Sequence, residues 1–235
     1  MDTGDMMGLP EAAGVSAIAS APRVVLFDFD GVLIHGDAFY LFMRDRYRRS
    51  LLRKLLAVLA LPWLLLCLPF SLRLPMRSLV RIGLLGLSQP RYAAAAQAFA
   101  TSLTRRPGQF CRDGLQALRR HQAVGDRVIV VTGCEHELVS GILGELGLGA
   151  VEVLASQLRP GWLGMRVGLH NIGRRKPLQL AAHGVSAWQV AYGDSAYDIA
   201  MLKGADEAVL VNATPKLCKK VERALGRSVT RVAWH

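Results

Sequence analysis

The stretch that decides the fold is Asp28-Phe29-Asp30-Gly31-Val32, which directly follows the apolar run Val24-Val25-Leu26-Phe27. A short β-branched apolar run that ends in a turn predicts a buried strand. Two carboxylates two residues apart, just past a strand and followed by Gly, form a site for a cation and a phosphoryl group. Many surface turns contain the same pattern, so its interpretation depends on the rest of the chain.

Further strand patterns recur along the chain, with helical patterns between them. They fall at residues 127–131, 151–154, 188–192 and 208–211. Alternation of this kind predicts βαβ units and therefore an α/β fold, a Rossmann-like doubly wound parallel sheet. Ligands of such a sheet bind beyond the carboxyl ends of its strands, where Asp28, Thr132 and Asp194 would converge.

Three later segments place polar groups at predicted strand ends or in loops. Thr132-Gly133 offers a hydroxyl and a backbone N–H to a phosphate oxygen, although Thr also commonly caps a strand-to-helix turn. Arg174-Arg175-Lys176 offers a cation for phosphate, although such loops are more often only solvated. In Gly193-Asp194-Ser195-Ala196-Tyr197-Asp198 two acids four residues apart can face one pocket.

The order of these motifs resembles that of the haloacid dehalogenase superfamily of phosphohydrolases, over about residues 24–211. The resemblance implies a Mg²⁺-dependent phosphatase in which Asp28 attacks phosphorus and Asp30 serves as general acid and base. It implies that Mg²⁺ is held by the Asp28 carboxylate, the Asp30 backbone carbonyl and Asp194. The other roles it implies are phosphate binding by Thr132, Gly133 and Lys176, and support from Ser195 and Asp198.

The interval between the first two predicted strands, residues 28–126, is far longer than an ordinary crossover. Its composition, rich in Leu, Ala and Arg, predicts an α-helical cap inserted between those strands. The predicted division is a flexible tail at 1–20, a core at 21–36 and 107–235, and a cap at 37–106. The tail lacks the basic region of a signal peptide.

Most of the excess positive charge lies in the cap. Residues 44–81 contain nine basic residues and one acid, Asp45, so this window carries +8 of the formal net charge of +11. A partner of this region should be a polyanion, either nucleic acid or an anionic bilayer. Nucleic acid is the weaker prediction, because the window has few interleaved aromatic residues and a strongly apolar neighbour.

That neighbour is residues 55–72, an uncharged run long enough to be a borderline transmembrane candidate. Pro62 and Pro69 argue against one straight helix. A single span would also separate Asp28 from Thr132, which must share a pocket. The sequence therefore predicts a hairpin that enters or lies on a membrane, with an apolar cap core as the alternative.

Two features bear on the substrate. Asp37 lies where phosphoserine phosphatases, which the motifs resemble, place a Glu near the substrate amine, and a helix N-cap is its competing interpretation. The basic patch, the apolar cap and the stretch Leu154-Ala155-Ser156-Gln157-Leu158 resemble the phosphatidylglycerophosphatase C branch. This resemblance implies a lipid phosphate substrate, an anionic membrane partner and a location on the cytoplasmic side of the inner or plasma membrane.

The alternatives are a soluble cytoplasmic phosphatase of the phosphoserine phosphatase type and a non-enzymatic membrane-peripheral protein. The chain lacks the motifs GxSxG, GxxxxGK[ST] and HExxH, which disfavours serine hydrolases, P-loop nucleotide hydrolases and zinc proteases. The four cysteines lack metal-site spacing, which predicts free thiols in a reducing compartment.

Overall fold

The computed structural model describes residues 22–235, so the tail predicted at 1–20 lies outside the described residues. Their strands form one sheet of seven. These strands are β1 (Val24–Phe27), β2 (Arg127–Glu135), β3 (Glu152–Gly161), β4 (Gly164–Leu169), β5 (Trp188–Gly193), β6 (Ala205–Val211) and β7 (Thr230–Val232). Their order across the sheet is β4-β3-β2-β1-β5-β6-β7, and every neighbouring pair is parallel except β3 and β4. The predicted α/β doubly wound sheet is confirmed.

Ten α-helices connect and cover these strands within the described residues. They are α1 (Ala38–Arg48), α2 (Leu51–Leu59), α3 (Leu61–Cys67), α4 (Arg73–Gly83), α5 (Gln89–Thr104), α6 (Arg112–Ala123), α7 (His136–Glu145), α8 (Arg175–Ala182), α9 (Ile199–Lys203) and α10 (Pro215–Leu225). The first five lie between β1 and β2, inside the range 37–106 for which the sequence predicts a helical cap. The exact limits of that cap stay a prediction.

The strands differ from the sequence prediction at the two edges of the sheet. β3 continues past the predicted end at residue 154 to Gly161 and turns back into the antiparallel strand β4, which the sequence analysis missed. It also missed β7. Most side chains of the edge strands β4 and β7 are exposed or half-buried, so these strands lack the continuous apolar runs that mark strands buried on both faces.

The cap shares its core with the sheet. The side chains of β1 alternate, so that Val25 and Phe27 join one buried cluster while Leu26 joins the cluster on the opposite face. Phe42 of α1 and Phe99 of α5 belong to the same cluster as Phe27. The ring centroids of Phe42 and Phe99 lie 5.4 Å apart. Because cap and sheet bury apolar side chains together, the cap is packed on the core rather than loosely attached to it.

A buried hydrogen bond adds a polar link between the cap and the core. The Tyr92 hydroxyl of α5 donates to the Glu135 carboxylate at the end of β2. The same carboxylate accepts the Leu138 backbone N–H at 3.1 Å and so caps α7. Burial raises the pKa of Glu135, while the bond from Tyr92 lowers it.

We expect Tyr92→Phe to lower the free energy of unfolding by about 1–2 kcal/mol at neutral pH, because it leaves a buried carboxylate short of a donor. The pKa of Glu135 is raised in the folded state, so its ionised form is costly and stability falls as pH rises through that pKa. The loss caused by Tyr92→Phe should therefore be larger at pH 8 than near pH 4. Urea unfolding at both pH values measures it. The exposed Tyr40→Phe is the control, and an equal loss at both pH values would contradict the assignment.

Candidate active site

The nucleophile candidate lies at the carboxyl edge of the sheet. The Asp28 backbone N–H donates to the carbonyl of Tyr192 in β5 at 2.9 Å, which continues the sheet pairing one residue beyond β1. The Asp28 side chain is buried, and its Oδ1 accepts the Phe29 backbone N–H at 2.7 Å. Sheet pairing and this local bond together hold the Asp28 carboxylate in place.

Gly31 allows the loops after β1 and β5 to meet. Its φ of +76° lies in the left-handed region, which favours glycine. A Cβ added to Gly31 would lie 1.9 Å from Oδ2 of Asp194, so any side chain there would displace that carboxylate. Gly193 has the same function on the other side, since its added Cβ would lie 2.7 Å from the Cβ of Asp198. Both glycines are therefore required by the close approach of the acids.

Lys176 joins the acids of both loops. Its Nζ lies 3.0 Å from Oδ1 of Asp28 and 2.6 Å from Oδ1 of Asp198, and its side chain is only 1% exposed. Arg174 and Arg175, the neighbouring cations that the sequence left as alternatives, are exposed at the surface. The structure thus brings Lys176, of the three consecutive basic residues, into the cluster.

Ser195 orients the last acid of the cluster. Its hydroxyl donates to Oδ2 of Asp198 at 2.8 Å, and its backbone N–H donates to the same oxygen at 3.0 Å. Because Lys176 occupies Oδ1, both oxygens of Asp198 have partners. Asp198 therefore positions Lys176, in keeping with the supporting role that the resemblance implies.

The remaining acids suit a divalent cation. Carboxylate oxygens of Asp28, Asp194 and Asp198 lie within 4.8 Å of one another. Such an oxygen-only set is what Mg²⁺ prefers. Since Asp198 is engaged with Lys176 and Ser195, the side-chain ligands left for Mg²⁺ are Asp28 and Asp194.

The second acid of the first motif points elsewhere. The Asp30 carboxylate accepts the backbone N–H of Ala38, the first residue of α1, at 2.8 Å. The metal contact that the resemblance implies for Asp30 uses its backbone carbonyl, so this side chain stays available for proton transfer. Asp37 caps the same helix, since its Oδ1 accepts the Tyr40 N–H at 2.7 Å. The N-cap interpretation of Asp37 is thus the one that its bonds support.

Crowding of buried acids raises their pKa values. Burial, and next the charge of Asp198, raises the pKa of Asp28 well above its usual range. Burial and then Asp37 raise the pKa of Asp30 to about 7, and burial and then Asp198 raise that of Asp194 to about 6. One lysine does not neutralise so many acids, so a bound cation would be strongly favoured here.

The predicted phosphate-binding residues lie in an irregular part of β2. Thr132 and Gly133 belong to the strand, which continues to Glu135, whereas the sequence placed Thr132 just past the strand end. Regular pairing with β3 nevertheless stops at Val131, after which the register shifts. The Thr132 hydroxyl is buried and accepts the Cys134 backbone N–H at 3.0 Å. The break in the ladder leaves the backbone of Thr132 and Gly133 outside the regular pairing of β2 with β3.

Two side chains hold this break, Ser156 and Asn171, and the sequence alone gives neither of them a role at the site. The Ser156 hydroxyl of β3 donates to the Gly133 carbonyl at 2.6 Å and accepts the Asn171 backbone N–H at 2.8 Å. The Asn171 amide donates to the Leu154 carbonyl at 2.8 Å, and its buried Oδ1 has no partner among the described residues. In the sequence, Ser156 stood out only as part of the stretch 154–158 that carries the branch resemblance, and Asn171 only by its position five residues before Lys176. Together they fix the orientation of the Gly133 peptide.

Basic residues lie near the region around His170 and Gly133, which we call the mouth of the site. The Nε2 of His170 would lie 4.0 Å from a Cβ on Gly133, and the His170 carbonyl accepts from Arg175 at 3.5 Å. Partial burial lowers the pKa of His170, and the charges of Arg175, Arg77 and Arg73 lower it further. The two last arginines belong to α4 of the cap. An anionic substrate is the ligand that such surroundings attract.

Comparison with known proteins identifies the set of motifs. The model of the haloacid dehalogenase-like hydrolase family matches residues 25–203, well over half of the chain. No curated protein matches the chain.

Solved structures resemble the fold at low sequence identity. A protein of unknown function from Bordetella pertussis Tohama I is 20% identical, with a TM-score of 0.66 over 89% of this chain and 99% of that one. A substrate-bound phosphoserine phosphatase is 18% identical, with a TM-score of 0.54 over 89% and 93%. A phosphoserine phosphohydrolase-like protein from Francisella tularensis subsp. tularensis SCHU S4 is 14% identical, with a TM-score of 0.58 over 89% and 94%. At these identities the likeness shows the fold alone.

Proposed function

The chain belongs to the haloacid dehalogenase-like hydrolases, and from this we propose that it is a Mg²⁺-dependent phosphomonoester hydrolase with an aspartyl-phosphate intermediate. The observation that carries the proposal is the meeting of Asp28, Asp194 and Asp198 around buried Lys176 at the carboxyl edge of the sheet. A purely structural core would not collect three carboxylates with so little compensating charge.

The residues present supply a complete two-step displacement. An oxygen of Asp28 attacks phosphorus while the bond to the leaving oxygen breaks, and Asp30 gives that oxygen its proton. Asp30 then takes a proton from water, which attacks phosphorus and releases the Asp28 carboxylate with inorganic phosphate. Mg²⁺, when bound by Asp28 and Asp194, would offset the repulsion between carboxylate and phosphate. A pKa of about 7 suits Asp30 to both proton transfers at neutral pH.

Other residues hold the phosphoryl oxygens in this proposal. Lys176 donates from one side, where it already contacts the nucleophile Asp28. Thr132 and the Gly133 N–H donate from the break in β2, and Ser156 keeps that peptide oriented. The proposal thus uses every predicted phosphate-binding residue and adds Ser156.

Two substrate classes fit this chemistry. The similar structures named as phosphoserine phosphatases support a small soluble phosphomonoester and a cytoplasmic enzyme. The exposed apolar surface of the cap supports a lipid phosphate such as phosphatidylglycerophosphate, with the enzyme on the cytoplasmic side of a membrane. We infer the lipid phosphate, because a soluble substrate leaves that surface without a function.

Phosphate release with Mg²⁺ or EDTA tests both levels of the proposal. Substrates are p-nitrophenyl phosphate, free phosphoserine and phosphatidylglycerophosphate in mixed micelles. We expect EDTA to abolish release from every substrate that is hydrolysed, and the lipid to have the highest kcat/KM. Release that persists in EDTA would contradict the metal-dependent mechanism, and a preference for phosphoserine would select the soluble alternative.

A further inference from the structure

Helices α2, α3 and α4 turn most of their apolar side chains toward solvent. Fourteen of the twenty large apolar residues exposed in the described chain lie between residues 51 and 76. Leu66 is 64% and Phe70 83% exposed, and α2 has no buried residue at all. Helices of a soluble domain ordinarily bury such faces. We call the exposed apolar residues of 51–76 the docking face. The predicted alternative, an apolar cap core, does not describe these side chains.

The charge around the docking face has one sign. Residues 38–104 contain ten basic residues and a single acid, Asp45. Asp45 already pairs with Arg49 at 2.8 Å, so the other cations have no acidic partner within this segment. A second copy of the chain would bring an equally positive surface against this one. An anionic surface that also accepts aliphatic side chains is complementary in both respects.

The docking face is built of short helices. Helices α2, α3 and α4 have 9, 7 and 11 residues, and no helix in the described part of the chain is long and apolar enough to cross a membrane. Short amphipathic helices with basic flanks bind instead in the plane of the interface. The geometry thus favours a surface contact over a span.

Helix α4 and strand β4 connect the docking face to the region of the active site. The end of α4 contacts the start of β4, where Leu85 pairs with Gly164. From this junction α4 leads back to Arg73 over roughly 16 Å, and β4 leads to His170 over roughly 20 Å. Helix α4 and strand β4 pack against each other, and besides burial and Arg175 the charges of Arg77 and Arg73 lower the pKa of His170. His170 in turn lies beside Gly133.

We propose that the docking face binds the surface of an anionic bilayer, with α2–α4 among the headgroups and the active-site mouth turned toward the lipid phosphates. The inference deepens the proposed function, because it names the surface that presents the substrate and therefore rests on a lipid phosphate being hydrolysed. Docking itself requires no catalysis, so the two can be tested apart.

Cosedimentation of the full chain with vesicles tests the docking face. We expect binding to vesicles of phosphatidylcholine with phosphatidylglycerol, much less binding to phosphatidylcholine alone, and weakening by salt. Leu66→Ser with Phe70→Ser should weaken binding by about a hundredfold, because both side chains leave the apolar phase. Val124→Ser, an equally exposed position that precedes β2 at the amino edge of the sheet, is the control and should bind like the unaltered chain.

The basic residues are tested in the same assay. Lys54→Gln with Arg73→Gln should weaken binding to the anionic vesicles by about thirtyfold. The exposed Lys216→Gln on α10 is the control and should change binding little. Equal losses in both charge variants would overturn the assignment of the basic flanks.

Three results would overturn the inference: no vesicle binding by the unaltered chain, unchanged binding by the Leu66 and Phe70 variant, or a dimer in sedimentation velocity that this variant dissolves without any vesicle binding. The last result would assign the docking face to a second copy. If Asp28→Asn binds vesicles but releases no phosphate, docking is supported independently of the proposed chemistry. If the unaltered chain binds no vesicles but hydrolyses p-nitrophenyl phosphate, the docking inference fails while the proposed phosphatase chemistry stands.

Discussion

Asp28→Asn is expected to reduce Mg²⁺-dependent phosphate release by a factor on the order of 10³ or more, because an amide cannot form the phosphoryl-enzyme bond. The Asn side chain has nearly the shape of the Asp side chain. The substitution also removes a buried carboxyl group whose pKa is raised by burial and by Asp198. The melting temperature should therefore not fall. Steady-state release of phosphate from p-nitrophenyl phosphate and thermal unfolding of the same preparation measure both effects.

The matched control for this experiment is Asp206→Asn, an exposed acid on β6 that should leave activity unchanged. Trapping adds a second readout, since radiolabelled phosphate should attach covalently to the unaltered chain and not to Asp28→Asn. Activity of Asp28→Asn within tenfold of the unaltered chain would refute Asp28 as the nucleophile.

Lys176→Met is expected to lower the free energy of unfolding by about 3–5 kcal/mol in EDTA at neutral pH. The loss arises because Asp28 and Asp198 would stay buried without their shared cation. Burial raises the pKa of Asp198, but the charge and hydrogen bond of Lys176, together with the bond from Ser195, hold it below its usual range. Without Lys176, burial would raise the pKa of Asp198 instead, so this carboxylate would take up a proton in the folded variant as pH falls toward 4. The cost of Lys176→Met should therefore shrink toward pH 4.

Arg175→Met is the matched control for this prediction, because it removes the adjacent and exposed cation. Its effect on the free energy of unfolding should stay within about 0.5 kcal/mol. Urea unfolding of both variants at pH 4 and pH 7 makes the comparison. A cost of Lys176→Met that is the same at both pH values would rule out the ion cluster as its origin.

The sequence could predict the central strands and the acids that follow them. β1, β2 and β5 are largely buried on both faces, so their apolar runs are easily recognised. Asp28 and Asp194 follow two of these strands directly, and adjacent parallel strands bring their carboxyl ends together. The convergence of both acids is thus a consequence of the topology.

Other parts of the site depend on contacts that leave no local pattern. Ser156 donates to the Gly133 carbonyl, and Asn171 donates to the Ser156 hydroxyl and the Leu154 carbonyl; neither spacing nor composition marks such bonds. The choice of Lys176 over two neighbouring arginines is likewise decided by burial, which three consecutive cations do not reveal. The length of 55–72 suggested an interrupted apolar hairpin, but its outward-facing side chains are visible only in three dimensions.

The bond from the Ala38 N–H to the Asp30 carboxylate has a consequence for how this cap can be exchanged or redesigned. The first residue of α1 donates its N–H to Asp30, the residue proposed to transfer protons, so this cap cannot simply be replaced by another. A transplanted cap must present a free amide at its first helical residue, which excludes proline at position 38. A graft that lacks this amide would leave the Asp30 carboxyl free to rotate. A cap exchanged to change the substrate would then also change the proton transfer proposed for Asp30.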